Sequence, residues 1–192
     1  VCFCFAIHHH PAMKHAIGPR KALGFPTIFN LLGPLTNPAG ATRQLLGVYD
    51  RHRATLIAQA LPRLGTDKAM VVHGLDGLDE ITISASTAAM RIDAGTVTEH
   101  EIDPREFGYD LAPLDAIRVD TVDESADLIR RILDGERTPA RDVVELNAAA
   151  ALWTGDAAPT LAAAIDLAQG AISGGAASRT LEQLAVVSHQ SG

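Results

Sequence analysis

Three short apolar runs, Cys2–Ala6, Leu45–Tyr49 and Ala69–His73, alternate with stretches that carry a helical apolar stripe, and this alternation constrains the fold more than any other feature. Runs of about five apolar residues between turn signals suit strands covered on both faces. Strand, helix, strand in that order implies parallel pairing with right-handed crossovers. The spacing predicts a helix over Arg51–Leu64 with Leu56, Ile57, Ala60, Leu61 and Leu64 on one stripe; Gly65 stops it, and Pro62 ends or kinks it a turn early. Alternation around Ile81–Ile83, Met90–Ile92 and Thr96–Ile102 predicts further extended segments, with Asp93-Ala94-Gly95 as a hairpin turn. The last third reads as helix. Thr121-Val122-Asp123-Glu124 resembles a capping box ahead of Ala126, Ile129 and Leu133, with Gly135 as the stop. Thr138-Pro139 opens a helix that runs through Val143, Leu146, Ala150 and Trp153 to Gly155. Leu161–Ile172 and Ser178–Val187 are two more, parted by Gly174-Gly175. The expected architecture is α/β: a largely parallel sheet flanked by helices, with a short antiparallel hairpin and a helical carboxyl-terminal tail, in a single domain over residues 1–192.

Composition narrows the partners. The chain has 192 residues and a net charge of −7, with 4% aromatic residues, which disfavours a phosphate-backbone binder or a base-stacking surface. No apolar run approaches the roughly 20 residues that a membrane span needs. No nucleic acid and no membrane are therefore expected as partners. The charge is unevenly spread: residues 1–70 hold eight basic and two acidic side chains, and residues 71–192 eight basic and 21 acidic. A basic first third in an acidic protein suits a small anion. Cys2 and Cys4, two apart in an apolar run, would share one strand face as buried small side chains, which together with the absence of a disulfide pattern points to a reducing cytoplasm. The opening at Val1, running straight into core-like residues, leads to the expectation of a chain cut inside a folded domain rather than one led by a signal peptide.

Ligands of open parallel sheets bind beyond the carboxyl ends of the strands. Three segments fall there: His8-His9-His10-Pro11, Asp50-Arg51, and Gly74-Leu75-Asp76-Gly77-Leu78-Asp79-Glu80. The last is a glycine-rich turn with three carboxylates. Asp79 and Glu80 are adjacent hard oxygen donors of the kind that hold Mg2+ shared with a diphosphate; the competing reading is that Asp and Gly simply make turns. A zinc site among the histidines is disfavoured, because His10 and His15 are five apart rather than the four that align two imidazoles on a helix. The segment Thr27-Ile28-Phe29-Asn30-Leu31-Leu32-Gly33-Pro34-Leu35-Thr36-Asn37-Pro38 runs from an apolar turn into a rigid loop where Gly33 permits close approach of a flat ligand.

His10-Pro11-Ala12-Met13-Lys14-His15, Arg20, residues 27–38, residues 74–80 and Val144-Glu145-Leu146-Asn147-Ala148-Ala149-Ala150 together resemble the anthranilate phosphoribosyltransferase family over essentially the whole chain. The resemblance implies an α/β domain joined to a small helical domain, and transfer of ribose from Mg2+-bound phosphoribosyl pyrophosphate to the amino group of anthranilate in tryptophan biosynthesis. It implies Arg20 as the partner of the anthranilate carboxylate, His10, Gly33 and Pro34 as the lining of the anthranilate path, and Asp79 and Glu80 as the magnesium carboxylates. It also implies a homodimer for the full-length protein. Two departures stand out. The family's Gly-Thr-Gly-Gly-Asp and Lys-His-Gly-Asn segments, which grip the donor, lie upstream of anything present here, so the chain is expected to be an inactive fragment missing the donor loop and the small helical domain. Pro19 also directly precedes Arg20, one position later than usual in the family. A pyrimidine nucleoside phosphorylase-like enzyme and a catalytically silent ligand- or partner-binding domain are the alternatives.

Overall fold

The structure, a computed structural model, describes residues 18, 22–23, 32–33, 35–37 and 39–190. The expected strand at residues 2–6, the histidine run, Pro19 with Arg20, and most of the segment 27–38 lie outside the described residues.

Among the described residues four strands form one sheet in the order β1-β2-β3-β4: β1 (Arg43–Gly47), β2 (Lys68–Gly74), β3 (Thr87–Asp93) and β4 (Thr96–Ile102). β1 and β2 are parallel, with Arg43 opposite Lys68 and Gly47 opposite Val72. β2–β3 and β3–β4 are antiparallel, so the described sheet is mixed, with one parallel pair. The second apolar run begins pairing two residues earlier than its composition suggests, with Arg43 and Gln44 in the strand; Val48 lies just past it, its amide still donating to the Val72 carbonyl at 3.0 Å.

The crossover between β1 and β2 is α1 (Arg51–Ala60), capped by the Asp50 carboxylate, which accepts the Arg53 amide at 2.9 Å. Pro62 ends it as expected: the chain tightens into a 3-10 turn over Leu61–Leu64 and stops at Gly65, φ 87°. The buried stripe differs from the expected one. Ala54, Ile57, Ala58 and Leu61 face the sheet at i, i+3, i+4 and i+7, while Leu56 and Leu64 are exposed. Small alanines let α1 lie close to the sheet, and the 3-10 turn rotates Leu64 outward.

Both faces of β2 are covered, which explains its uninterrupted apolar run. Ala69 and Val71 join Ile57, Ala58 and Leu61 on the α1 side, with Met90 and Ile92 of β3. Met70 and Val72 pack on the other side with Leu146, Ala149, Ala150 and Trp153. The hairpin turn is the two residues Ala94 and Gly95, at φ 45° and 82°, the mirror-image geometry that matches strand twist. Residues 81–83 are not a strand. They form a buried connection whose amides bond to side chains: Ile81 to Asn147 and Thr82 to Thr87.

Four helices follow: α2 (Val122–Leu133), α3 (Pro139–Thr154), α4 (Leu161–Ser173) and α5 (Ala176–Gln190). Thr121, Thr138 and Thr160 cap the first three, each hydroxyl accepting an amide three residues on. In the expected capping box, Glu124 reaches back to the amide of Asp120 rather than Thr121. In α2 it is Ile132 that is buried, against Ala140 and Ile172, while Ile129 is exposed. The stripe of α3 is as read: Val143, Leu146, Ala150 and Trp153 are all buried. Among the described residues no helix is long and apolar enough to cross a membrane.

Candidate functional site

The carboxyl ends of β1 and β2 lie side by side, as parallel pairing requires, and the loop after β2 folds across that edge. Its first turn closes through Gly74, whose amide donates to the Leu78 carbonyl at 2.8 Å, and Gly77 takes φ 99°, a conformation that favours glycine. Leu75 returns to the sheet side by donating to the Ser86 carbonyl at 2.9 Å.

Asp76 organises the loop from within. Its Oδ1 accepts the Leu78 amide at 3.0 Å, and its Oδ2 accepts the hydroxyls of Thr82, at 2.5 Å, and of Ser84. Burial pushes its pKa up, but the hydrogen bonds from Ser84, Thr82 and the Leu78 amide outweigh burial and hold the carboxyl below its ordinary value. Of the three carboxylates in this turn, Asp76 is therefore consumed by the fold.

Asp79 and Glu80 are exposed at the tip, and among the described residues neither carboxylate accepts a hydrogen bond. Their backbone is nonetheless fixed. The Asp79 carbonyl lies directly over Gly47 at the end of β1, where a Cβ would land on the carbonyl oxygen, so glycine is a steric requirement there. On the other side Ile81 is fully buried, with its N–H and C=O both bonded to the Asn147 side chain of α3. Burial, then the neighbouring Asp79 charge, raises the Glu80 pKa above its ordinary value. The repulsion between the two neighbouring charges is what a bound cation would offset.

Among the described residues no group of three or more His, Cys, Asp and Glu is gathered to hold a metal ion. Two adjacent hard oxygens do not make a cage. They do fit Mg2+, which retains waters and takes one or two carboxylates together with substrate oxygens.

The other two edge segments fare differently. Asp50 is spent on capping α1, and Arg51 pairs with Glu99 of β4 at 2.6 Å. The His8–Pro11 run lies outside the described residues, as do His10, Arg20 and Pro34 of the expected acceptor site. Gly33 is described: it is half-buried, its carbonyl accepts the Thr36 amide at 3.2 Å, and among the described residues a Cβ on it would meet nothing within 4 Å. The structure thus displays the neighbouring carboxylates Asp79 and Glu80 together at the sheet edge, and Arg20 lies outside the described residues.

Three residues that shape this edge were not singled out from the sequence: Gly47, Asp76 as a loop anchor, and Asn147. The signal for Asn147 was present, since a lone amide within Val144-Glu145-Leu146-Asn147-Ala148-Ala149, on a helix that is otherwise largely apolar there, needs a partner. The partner, 66 positions earlier in the chain, had no signal.

Comparison with known proteins agrees with this architecture. A family model described as "Glycosyl transferase family, a/b domain" matches residues 1–178. The chain is 50% identical over 184 residues to anthranilate phosphoribosyltransferase of Thioalkalivibrio sulfidiphilus, covering 96% of this chain and 54% of that protein. It is 45% identical over 190 residues to the enzyme of the same name from Chromobacterium violaceum, covering 99% and 56%. Among solved structures, anthranilate phosphoribosyltransferase from Thermus thermophilus superimposes with a TM-score of 0.84 at 39% identity, covering 91% of this chain and 52% of that one. The Saccharomyces cerevisiae enzyme in complex with PRPP and Mg gives 0.82 at 29% identity, covering 91% and 51%. The chain spans about half the length of the curated relatives it matches. A match over residues 1–178, on a chain whose β1–α1–β2 crossover and carboxyl-edge loop have the form just described, shows that this chain belongs to the glycosyl transferase family and carries its a/b domain.

Proposed function

We propose that this chain supplies the magnesium-bearing part of the site of an anthranilate phosphoribosyltransferase, which joins anthranilate to the ribose of phosphoribosyl pyrophosphate in tryptophan biosynthesis. The observation that carries the reading is the Asp79–Glu80 pair: two carboxylates displayed at the carboxyl edge of the sheet, without donors among the described residues, on a backbone held from both sides. The names of the relatives point the same way.

Ribosyl transfer of this kind needs little proton transfer. Bond breaking to the pyrophosphate leaves positive character on the ribose, and catalysis then rests on positioning and charge stabilisation. Asp79 and Glu80 would hold Mg2+, whose chemistry when bound is to neutralise the departing diphosphate. Arg20 offers a planar fork matched to the carboxylate of anthranilate and turns the amino group toward the ribose. His10, Gly33 and Pro34 line the approach of the acid. In this reading the 192 residues alone lack the donor-gripping segments and form no phosphoribosylanthranilate, the complete protein is a homodimer, and it works in the cytoplasm.

The test uses a protein that joins this chain to the family's upstream donor-binding segments. D79N/E80Q keeps size and hydrogen bonding, removes two charges and abolishes the Mg2+-dependent turnover; full activity with unchanged Mg2+ dependence would return the pair to the role of turn residues. In the same protein Arg20→Ala raises the anthranilate KM with donor binding unchanged, since a charged hydrogen bond contributes about 1.5–3 kcal/mol.

A further inference from the structure

We infer that Asn147 is a positioning residue for the Asp79–Glu80 pair: it holds the peptide that follows Glu80 so that both carboxylates reach one divalent cation. The inference rests on the reading of that pair as magnesium carboxylates. Asn147 sits in the middle of α3, where its amide competes with the helix backbone and is not favoured by propensity. Both polar atoms of its side chain are engaged. Oδ1 accepts the Ile81 amide at 3.0 Å, and Nδ2 donates to the Ile81 carbonyl at 2.9 Å and to the Val143 carbonyl at 2.9 Å. One side chain thus stands in for a rung of a sheet ladder, satisfying both backbone groups of a residue that is fully buried and in no strand.

That residue is the one after Glu80. The Asp79 carbonyl is seated on Gly47 and the Ile81 peptide is bracketed by Asn147, so the acidic dipeptide spans two fixed points. Residues that orient metal ligands from behind, without touching the ion, typically change its affinity by about 10–100-fold when replaced. The plainer reading is that Asn147 only docks α3 on the loop. Under that reading its loss lowers stability, and cation affinity follows stability for any neighbour. Leu146 is the control, since it is fully buried on the same helix and carries no hydrogen-bonding group.

The probe is Mn2+, a paramagnetic ion that takes the same oxygen ligands. It is titrated into the 192-residue chain while broadening of the Asp79 and Glu80 amide signals reports affinity and hydrogen exchange reports the Ile81 amide. Asn147→Ala is expected to weaken Mn2+ about tenfold and to speed exchange at Ile81. Asn147→Asp, which keeps the acceptor and drops the donor, should also weaken it despite the added negative charge, and carries the test if the alanine variant does not fold. Leu146→Ala should lower the melting temperature and leave Mn2+ affinity at the wild-type value. Wild-type or tighter Mn2+ binding by the Asn147 variants overturns the inference, as does an equal loss in Leu146→Ala. Mn2+ bound equally well by D79N/E80Q shows instead that the ion is not on this pair, which overturns the magnesium reading beneath the inference.

Discussion

Glu145, in the middle of α3, and Glu80, in the loop that α3 pins, are carboxylates set beside buried structure and treated in opposite ways. Glu145 is fully buried. Its Oε1 accepts Nε of Arg141 at 2.6 Å, and its Oε2 accepts the Tyr109 hydroxyl and the Gln169 amide, each at 2.9 Å. Arg141 is equally buried and spends its remaining donors on the Gly135 carbonyl at 2.7 Å and the Ser173 hydroxyl at 3.1 Å. The network ties α3 to α4 and to the turn that ends α2. Burial alone would raise the pKa of Glu145, but the hydrogen bonds from Arg141, Tyr109 and Gln169 carry it below its ordinary value. The Tyr109 hydroxyl is pushed up, by burial and by its bond to Glu145. Glu80 feels burial too, and among the described residues the charge beside it is that of Asp79, so its pKa goes up. Donors decide the sign. A carboxylate supplied with donors belongs to the scaffold, and one left without them is available to a cation.

The largest effect that would break this contrast is on stability. Glu145→Ala leaves the Arg141 guanidinium buried without its counter-charge and should cost about 3–5 kcal/mol in urea unfolding. A cost under about 1 kcal/mol, the range of an exposed pair, would show that Glu145 is not the anchor described. Gly47→Ala comes next. The new Cβ collides with the Asp79 backbone, which must shift, at about 1–3 kcal/mol by analogy with overpacked cores. A wild-type melting curve for that variant would mean the loop tip is free to move, and that its carboxylates are not held for an ion.

Acid titration separates the two glutamates by sign. The folded pKa of Glu145 lies below the ordinary value of 4.5, so its stabilisation is complete above pH 4.5 and is lost as pH falls through the folded pKa. The stability advantage of wild type over Glu145→Gln should therefore shrink below pH 4.5. Glu80 is raised above 4.5, so its ionised form costs stability, and that cost fades as pH falls through the raised value toward 4.5. Wild type should gain on Glu80→Gln across that window. The same slope in both pairs would contradict the contrast. The smallest expected change in stability belongs to D79N/E80Q, within about 0.5 kcal/mol of wild type, as for exposed side chains that accept no hydrogen bond among the described residues. A loss comparable to that of Glu145→Ala would place these carboxylates among the scaffold groups.

Much of this was legible in the order of residues. The apolar run of β2, the early end of α1 at Pro62, the hairpin near Asp93-Ala94-Gly95 and the helices opened by Thr121, Thr138 and Thr160 follow from side-chain periodicity and backbone restrictions that act within a few residues. Those are local forces, and local sequence carries them. The candidate carboxylates were visible too, as adjacent acids in a glycine-rich turn. Periodicity failed on α1: Ala54 and Ala58 share the buried face with Ile57 while Leu56 is exposed, and the 3-10 turn that Pro62 imposes carries Leu64 outward. It also failed at residues 81–83, where alternation suggested a strand and side-chain hydroxyls and amides replaced the ladder. Only the tertiary structure decided which of three neighbouring acids turns inward, that Gly47 must be glycine because the Asp79 carbonyl rests on it, and that Asn147 closes on Ile81. Each of these joins positions brought together by the fold of the sheet edge, and no propensity within either segment encodes where the other will lie.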